Sequence, residues 1–151
     1  MSKNALLTKE AGKVIGDMLK GNSTLKELDL SSNRDYYAGA TDGPGFAQEL
    51  ADGIKDNGAL SSVNVLFNNI GTEQAQALAN ILKEHPTLKS LCGNKGNETE
   101  LDMSGEPYKR LGAEGAIMLA PEIIDNGAMT SLNVSNNSLG IAAGWAFSSQ
   151  P

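Results

Sequence analysis

Three segments of this sequence share one spacing of aliphatic residues that ends in asparagine. The spacing is Leu-x-x-Leu-x-Leu-x-x-Asn, with Val or Met in place of some leucines, and it covers residues 25–33, 60–68 and 129–137. Alternation of apolar and polar residues before the asparagine predicts a short strand with one face in the core. The asparagine favours a turn. A recurring unit constrains the fold strongly, because every copy is expected to occupy an equivalent structural position.

Each strand segment is followed by apolar residues at helical spacing, which predicts strands alternating with helices. The predicted helices cover residues 8–21, 45–56, 73–84 and 113–125, and the predicted strands cover 25–30, 60–66 and 129–134. A last helix is predicted to run through Trp145 and Phe147. Parallel strands need helical crossovers of this kind.

The segment that begins at Leu88 departs from the pattern. Residues 88–92 start like a strand, 93–99 interrupt it with glycine and asparagine, and 100–104 look like a second strand. Either the two segments form a hairpin, or one takes the strand position and the other loops out. The turn asparagine is absent here, and Glu106-Pro107 occupies the corresponding place.

The repeated pattern followed by a helix resembles the leucine-rich repeat. The unit 60–87, in which Asn68-Asn69-Ile70-Gly71 leads into a full helix, is most similar to the ribonuclease-inhibitor class. The resemblance implies an α/β fold, a right-handed solenoid or horseshoe arc with a parallel sheet on the concave side and helices on the convex side. The implied domain division is a single domain 1–151 with a partial unit 1–24, units 25–59, 60–87 and 88–128, and a partial unit 129–151. The capping units of the family are missing, so we expect the open solenoid ends to allow self-association.

Charge and composition exclude several classes of partner. The net charge is −6, and an acidic surface does not attract nucleic acid or an anionic membrane. No apolar run approaches the roughly 20 residues that span a bilayer, and the N-terminus does not resemble a secretory signal. With Cys92 as its single cysteine, the chain has no internal disulfide framework, and we expect a cytoplasmic protein.

The sequence contains no recognisable catalytic constellation. His85 is the only histidine, and we expect it at an exposed helix end. Cys92 is expected at an outward strand position, with no base to activate it. Metal ligands are not clustered, so we predict a protein that is not an enzyme and has no metal site and no cofactor.

The predicted working surface is the concave sheet face, where acidic residues suit a basic protein partner. The candidate partner-binding residues are Glu27, Asp29, Ser31, Ser62, Asn64, Leu66, Asp102 and Asn133 on the strands, with Tyr36 and Tyr37 in the first insertion. In the irregular unit, which is the unit 88–128, the outward residues are either Ser90 and Cys92, or Glu100, Asp102 and Ser104. Solvated strands carry polar outward residues in any case, and packing of the tyrosines within their own loop is an equal alternative. The structural turn residues are Asn33, Asn68 and Asn137.

We therefore predict a non-catalytic protein-interaction module. Proteins with this resemblance inhibit ribonucleases, activate Ran-type GTPases, or act in innate sensing and cytoskeletal scaffolding. A GTPase-activating or other regulatory leucine-rich-repeat protein is one alternative. A structural fragment of a longer repeat array, with no site of its own, is another.

Overall fold

Helices and strands alternate along the chain, as the sequence predicts. The structure is a computed structural model, and it describes residues 7–33, 42–107 and 109–140. The elements in order are α1 (Lys9–Gly21), β1 (Glu27–Asp29), α2 (Gly43–Lys55), β2 (Ser62–Asn64), α3 (Thr72–Glu84), β3 (Glu100–Asp102), α4 (Gly112–Asp125) and β4 (Ser131–Asn133). The predicted final helix through Trp145 and Phe147 lies outside the described residues.

Local signals account for where the first two helices begin. The hydroxyl of Thr8 accepts a hydrogen bond from the N–H of Ala11, which satisfies a donor that the helix leaves free. The carboxylate of Asp42 does the same for Gly45. Helix α3 begins differently, since Gly71 with φ of 85° precedes it and the carboxylate of Glu114 accepts the Gly71 N–H. A contact from another helix therefore replaces a local cap.

The strands form two separate parallel pairs. In one sheet Leu28 of β1 is in register with Val63 of β2, and in the other Leu101 of β3 is in register with Leu132 of β4. The predicted solenoid with one curved, sheet-lined concave face is therefore wrong, and no repeat architecture is evident in the part of the chain that the structure describes. What remains of the prediction is the α/β class with parallel strand pairs.

The strands form two sheets instead of one because the two strand segments of the irregular unit pair with different neighbours. Its first segment lies beside β2, where Ser90 forms a single bridge with Ser62 and the Val63 N–H donates to the Ser90 carbonyl at 2.9 Å. Its second segment is β3, which pairs with β4 instead. The residues between them, 93–99, lead the chain from one sheet to the other. Neither alternative from the sequence is correct, because both segments pair and they pair with different neighbours.

An aliphatic core joins the helices to the strands, which agrees with the low aromatic content of 5%. The largest fully buried side chains are Phe46, Leu7, Leu19, Leu30, Leu50, Ile54, Leu60, Ile70, Leu78, Leu88, Leu91 and Met118. They come from the helices and from the segments that connect helices and strands. Burial of this apolar surface is the main force that holds such short strands in place.

Helices α1 and α2 pack through glycines. A Cβ atom added to Gly53 of α2 would lie 2.4 Å from the Cα of Gly16 on α1, and one on Gly12 would lie 2.4 Å from the carbonyl oxygen of Phe46. Real side chains do not tolerate such distances. The two helix backbones therefore approach closely because these positions carry no side chain.

A buried polar residue follows each of helices α2, α3 and α4. Asn57 donates from its amide to the carbonyls of Leu19 and Asn22, and its oxygen accepts the N–H groups of Ala59 and Leu60. Asn126, after α4, in the same way accepts from Ala128 and donates to the carbonyl of Glu98. These side chains satisfy backbone groups where a helix ends and the next segment begins.

His85 takes the same role after α3, and the prediction of an exposed histidine is wrong. Its side chain is only 8% exposed. Nδ1 accepts the N–H of Leu88 at 2.9 Å, and Nε2 lies 3.1 Å from the carbonyl oxygen of Ile54. Because Nδ1 accepts a hydrogen bond and Nε2 faces a carbonyl oxygen, the ring proton lies on Nε2. The histidine is thus a structural residue that replaces an asparagine.

Candidate interaction surface

The three turn asparagines are buried and bonded to backbone. The Asn68 amide donates to the carbonyls of Leu30 and Val65, and its oxygen accepts the N–H of Asn33 at 2.8 Å. Asn33 donates to the carbonyl of Leu30. In the second sheet, Asn137 donates to the Val134 carbonyl and accepts the Leu111 N–H. Each side chain holds the chain just after a strand, which fixes the direction of the outward residues on that strand.

Glu122 supplies the missing turn residue of the irregular unit. Its carboxylate, on α4, accepts the backbone N–H groups of Leu91 and Cys92 at 2.7 and 3.0 Å. It also accepts the hydroxyl of Ser90 and the amide of Asn94, both within 3 Å. Burial raises the pKa of Glu122, and hydrogen bonds from the Leu91 N–H and from the side chains of Asn94, Ser90 and Cys92 lower it part of the way. A single acid from a distant helix therefore anchors the segment at which the two sheets separate.

Sequence reasoning missed Glu122, although one signal was present. The residue lies within the apolar run from Ala116 to Ile124, next to Pro121. An acid within an apolar stretch of helix is rarely buried unless it is paired. That position marks a buried carboxylate, but its partners lie about thirty residues earlier and no local pattern identifies them.

Ser90 and Cys92 do not lie on an outward face, so that part of the prediction is wrong. Ser90 is buried, and Cys92 is only 5% exposed. The chain turns inward here because the Glu122 carboxylate draws both backbone N–H groups of Leu91 and Cys92 towards α4. Burial raises the pKa of the Cys92 thiol well above its usual range, and the charge of Glu122 raises it further.

We expect the native Cys92 thiol to react with a thiol-specific reagent at least about tenfold more slowly than the thiol of the unfolded chain. Each unit by which a pKa rises lowers the thiolate fraction about tenfold, and burial adds a barrier to access. The measurement is the rate of labelling at neutral pH, with and without urea. Equal rates in the two conditions would contradict the burial of Cys92.

The two sheets present the same set of outward side chains. In the first sheet Glu27 is in register with Ser62, and Asp29 with Asn64. In the second sheet Glu100 is in register with Ser131, and Asp102 with Asn133. We call the first set the first acidic face and the second set the second acidic face.

The carboxylates of both acidic faces are exposed, while the strand residues between them are more buried. Asp29 accepts the N–H of Ser31, and Asp102 accepts the N–H of Ser104 at 2.9 Å. The bond from Ser104 and a further bond from Asn133 lower the pKa of Asp102. Asp102 therefore carries its charge over a wider pH range than an isolated aspartate.

The remaining candidate residues lie at the surface, in the core or outside the described residues. Ser31 is half-buried beside the first acidic face. Leu66 is 2% exposed and belongs to the core, so the structure removes it from any contact surface. Tyr36 and Tyr37 lie outside the described residues.

Within residues 7–33, 42–107 and 109–140, no group of three His, Cys, Asp or Glu side chains could hold a metal ion. In the same ranges no helix has the length and apolar character required to cross a membrane.

In comparisons with known proteins, neither a family model nor a curated protein sequence matches this chain. The resemblance to leucine-rich repeat proteins therefore rests on the pattern of residues in the sequence alone.

Proposed function

We propose that this protein is a non-catalytic interaction module that binds a basic protein segment through its two acidic faces. The observation that supports this most is the repetition of one set of outward residues, Glu-x-Asp beside Ser-x-Asn, on two separate sheets. A solvated strand requires polar residues, but it does not require the same charges in the same register twice.

Spacing indicates what kind of segment fits. Glu27 and Asp29 lie on the same side of β1, as do Glu100 and Asp102 on β3. Residues two apart in a strand are roughly 6.6 Å apart. An extended segment with Lys or Arg at every second position has the same spacing, so its cations would meet the carboxylates in register.

Charge also favours a basic partner over an acidic one. The whole chain has a net charge of −6, which attracts cations over distances up to about 10 Å at moderate salt. The neighbouring Ser62 and Asn64 side chains can bond the backbone of the bound segment. Binding of this kind weakens as salt is added, because the charged groups are exposed.

A fluorescence anisotropy titration tests the proposal directly. The probe is a labelled peptide in which Lys and Ser alternate, and the comparison peptide has the same composition with its lysines in one block. We expect the alternating peptide to bind more tightly, and an Asp29→Lys/Asp102→Lys double variant to lose at least about tenfold in affinity. Each reversal turns an attraction between exposed charges, worth up to about 1 kcal/mol, into a repulsion, and a tenfold loss corresponds to about 1.4 kcal/mol.

The matched control is an Asp52→Lys/Glu84→Lys double variant, which makes the same charge change at exposed helix positions. It should retain most of the affinity. An Asp29→Asn/Asp102→Asn variant keeps an oxygen to accept the N–H groups of Ser31 and Ser104, and it separates loss of charge from loss of the turn. Equal binding by the wild type and the Asp29→Lys/Asp102→Lys variant would refute the proposal.

A further inference from the structure

A surface cleft of about 370 Å³ lies beyond the carboxyl ends of β3 and β4. Its lining residues are Gly105, Glu106, Pro107, Arg110, Asn136 and Ser138. In α/β folds the carboxyl ends of parallel strands are the usual position of ligand sites. The volume is at the lower end of the range for small-molecule sites, which is about 300–1,000 Å³.

The floor of this cleft is held by backbone contacts. The parallel hydrogen bonds continue past the strands, since the N–H of Gly105 donates to the Ser135 carbonyl at 2.8 Å. A Cβ atom on Gly105 would lie only 2.3 Å from the Asn136 carbonyl oxygen, so the two segments are as close as backbones allow. The cleft is therefore built on the ordered part of the second sheet.

The position of Arg110 is also determined by the fold. The next residue, Leu111, is buried and donates its N–H to the oxygen of Asn137 at 3.0 Å. The guanidinium Nη1 of Arg110 donates to the hydroxyl of Ser138 at 3.1 Å across the cleft. A guanidinium has five N–H donors in a fixed fork that matches a carboxylate.

Two opposite charges line this cleft without forming an ion pair. The ion pairs among the described residues are Lys9–Glu49 and Lys13–Asp17, so Arg110 and Glu106 remain more than 4 Å apart. Glu106 is held by two backbone hydrogen bonds that it exchanges with Lys109. Both charged groups are therefore available to a molecule placed between them.

We propose that this cleft binds a small zwitterion with the chemistry of a free amino acid. Arg110 and Ser138 take the carboxylate, Glu106 takes the ammonium group, and Pro107 gives an apolar surface for the side chain. The size of the cleft suits such a molecule. This inference is independent of the acidic faces, because it uses none of their residues.

The test is isothermal titration of the full chain with each of the standard amino acids, and with succinate and ethanolamine as probes that lack one of the two charges. We expect at least one amino acid to bind, and succinate, which lacks the ammonium group, and ethanolamine, which lacks the carboxylate, to bind at least about tenfold more weakly. Arg110→Gln and Glu106→Gln should each weaken binding by a similar factor, whereas Lys109→Gln, an exposed neighbour that does not line the cleft, should not.

Three results would overturn the inference. Absence of heat with every amino acid would remove the site. Binding of succinate as tight as that of an amino acid would show that Glu106 has no part in recognition. Unchanged affinity in Arg110→Gln would place any binding elsewhere on the molecule.

Discussion

A Glu122→Ala variant is expected to lose about 3 kcal/mol or more of its free energy of unfolding. The substitution leaves the backbone N–H groups of Leu91 and Cys92 without an acceptor in a buried setting. An unsatisfied buried donor costs about 1–3 kcal/mol. The measurement is urea denaturation followed by circular dichroism, with the midpoint and slope compared with those of the wild type.

Two further variants make this prediction specific to the buried carboxylate. Glu122→Gln keeps one oxygen for the two backbone donors but opposes the Asn94 amide with a second donor, so its loss should be intermediate. Glu114→Ala, on the same helix, removes one bond to the Gly71 N–H and should cost only about 1 kcal/mol. If Glu122→Ala were no worse than Glu114→Ala, the anchoring role of Glu122 would be wrong.

Gly53→Ala is expected to cost about 2–3 kcal/mol, although alanine favours helices by about 1 kcal/mol over glycine. The new Cβ would meet backbone atoms of Gly16, and no side-chain rotation can relieve that contact. Helices α1 and α2 must move apart. For a chain of this length, the change corresponds to a fall of roughly 4–12 °C in the melting temperature, which calorimetry would record.

Gly21→Ala is the matched control, since Gly21 is in α1 and no atom lies within 4 Å of its added Cβ. This variant should be as stable as the wild type or slightly more stable, because only the helix propensity changes. A Gly53→Ala protein that melts at the same temperature as Gly21→Ala would contradict the close packing of the two helices.

Local patterns in the sequence were sufficient for most helices and for the core of each strand. The helix predicted over 8–21 corresponds to Lys9–Gly21, because Thr8 provides a cap and apolar residues recur at helical spacing. The helix predicted over 73–84 begins one residue earlier, at Thr72. Periodicity reports which face of a segment is apolar, and that information is local.

The arrangement of the sheets was beyond such patterns. It depends on Glu122 contacting Leu91 and on β3 pairing with β4, and both contacts join residues about thirty positions apart. Nothing in the sequence of residues 88–104 distinguishes one continuous sheet from two. The predicted solenoid assumed that residues 88–104 continue one regular sheet. In the structure, long-range contacts with Glu122 and with β4 determine where these residues lie.

The candidate surface was predictable only within the strands. Alternation correctly places Glu27, Asp29 and Asp102 at exposed positions. It fails at Leu66, because the Asn64 side chain accepts the Leu66 N–H and the chain turns just after β2. Side chains alternate between the two faces only while the backbone is extended, so the alternation no longer predicts exposure after the strand ends.

The buried asparagines that follow α2 and α4 are also sites of possible deamidation during storage. Asn57 and Asn126 each precede a glycine, and an Asn-Gly pair is chemically labile because the flexible glycine N can attack the side-chain carbonyl. In the folded chain the Asn57 amide is held by the carbonyls of Leu19 and Asn22, which keeps it away from that attack. We therefore expect deamidation of Asn57 to occur in molecules in which this segment has opened, so that its rate over weeks of storage would report how often the end of α2 detaches.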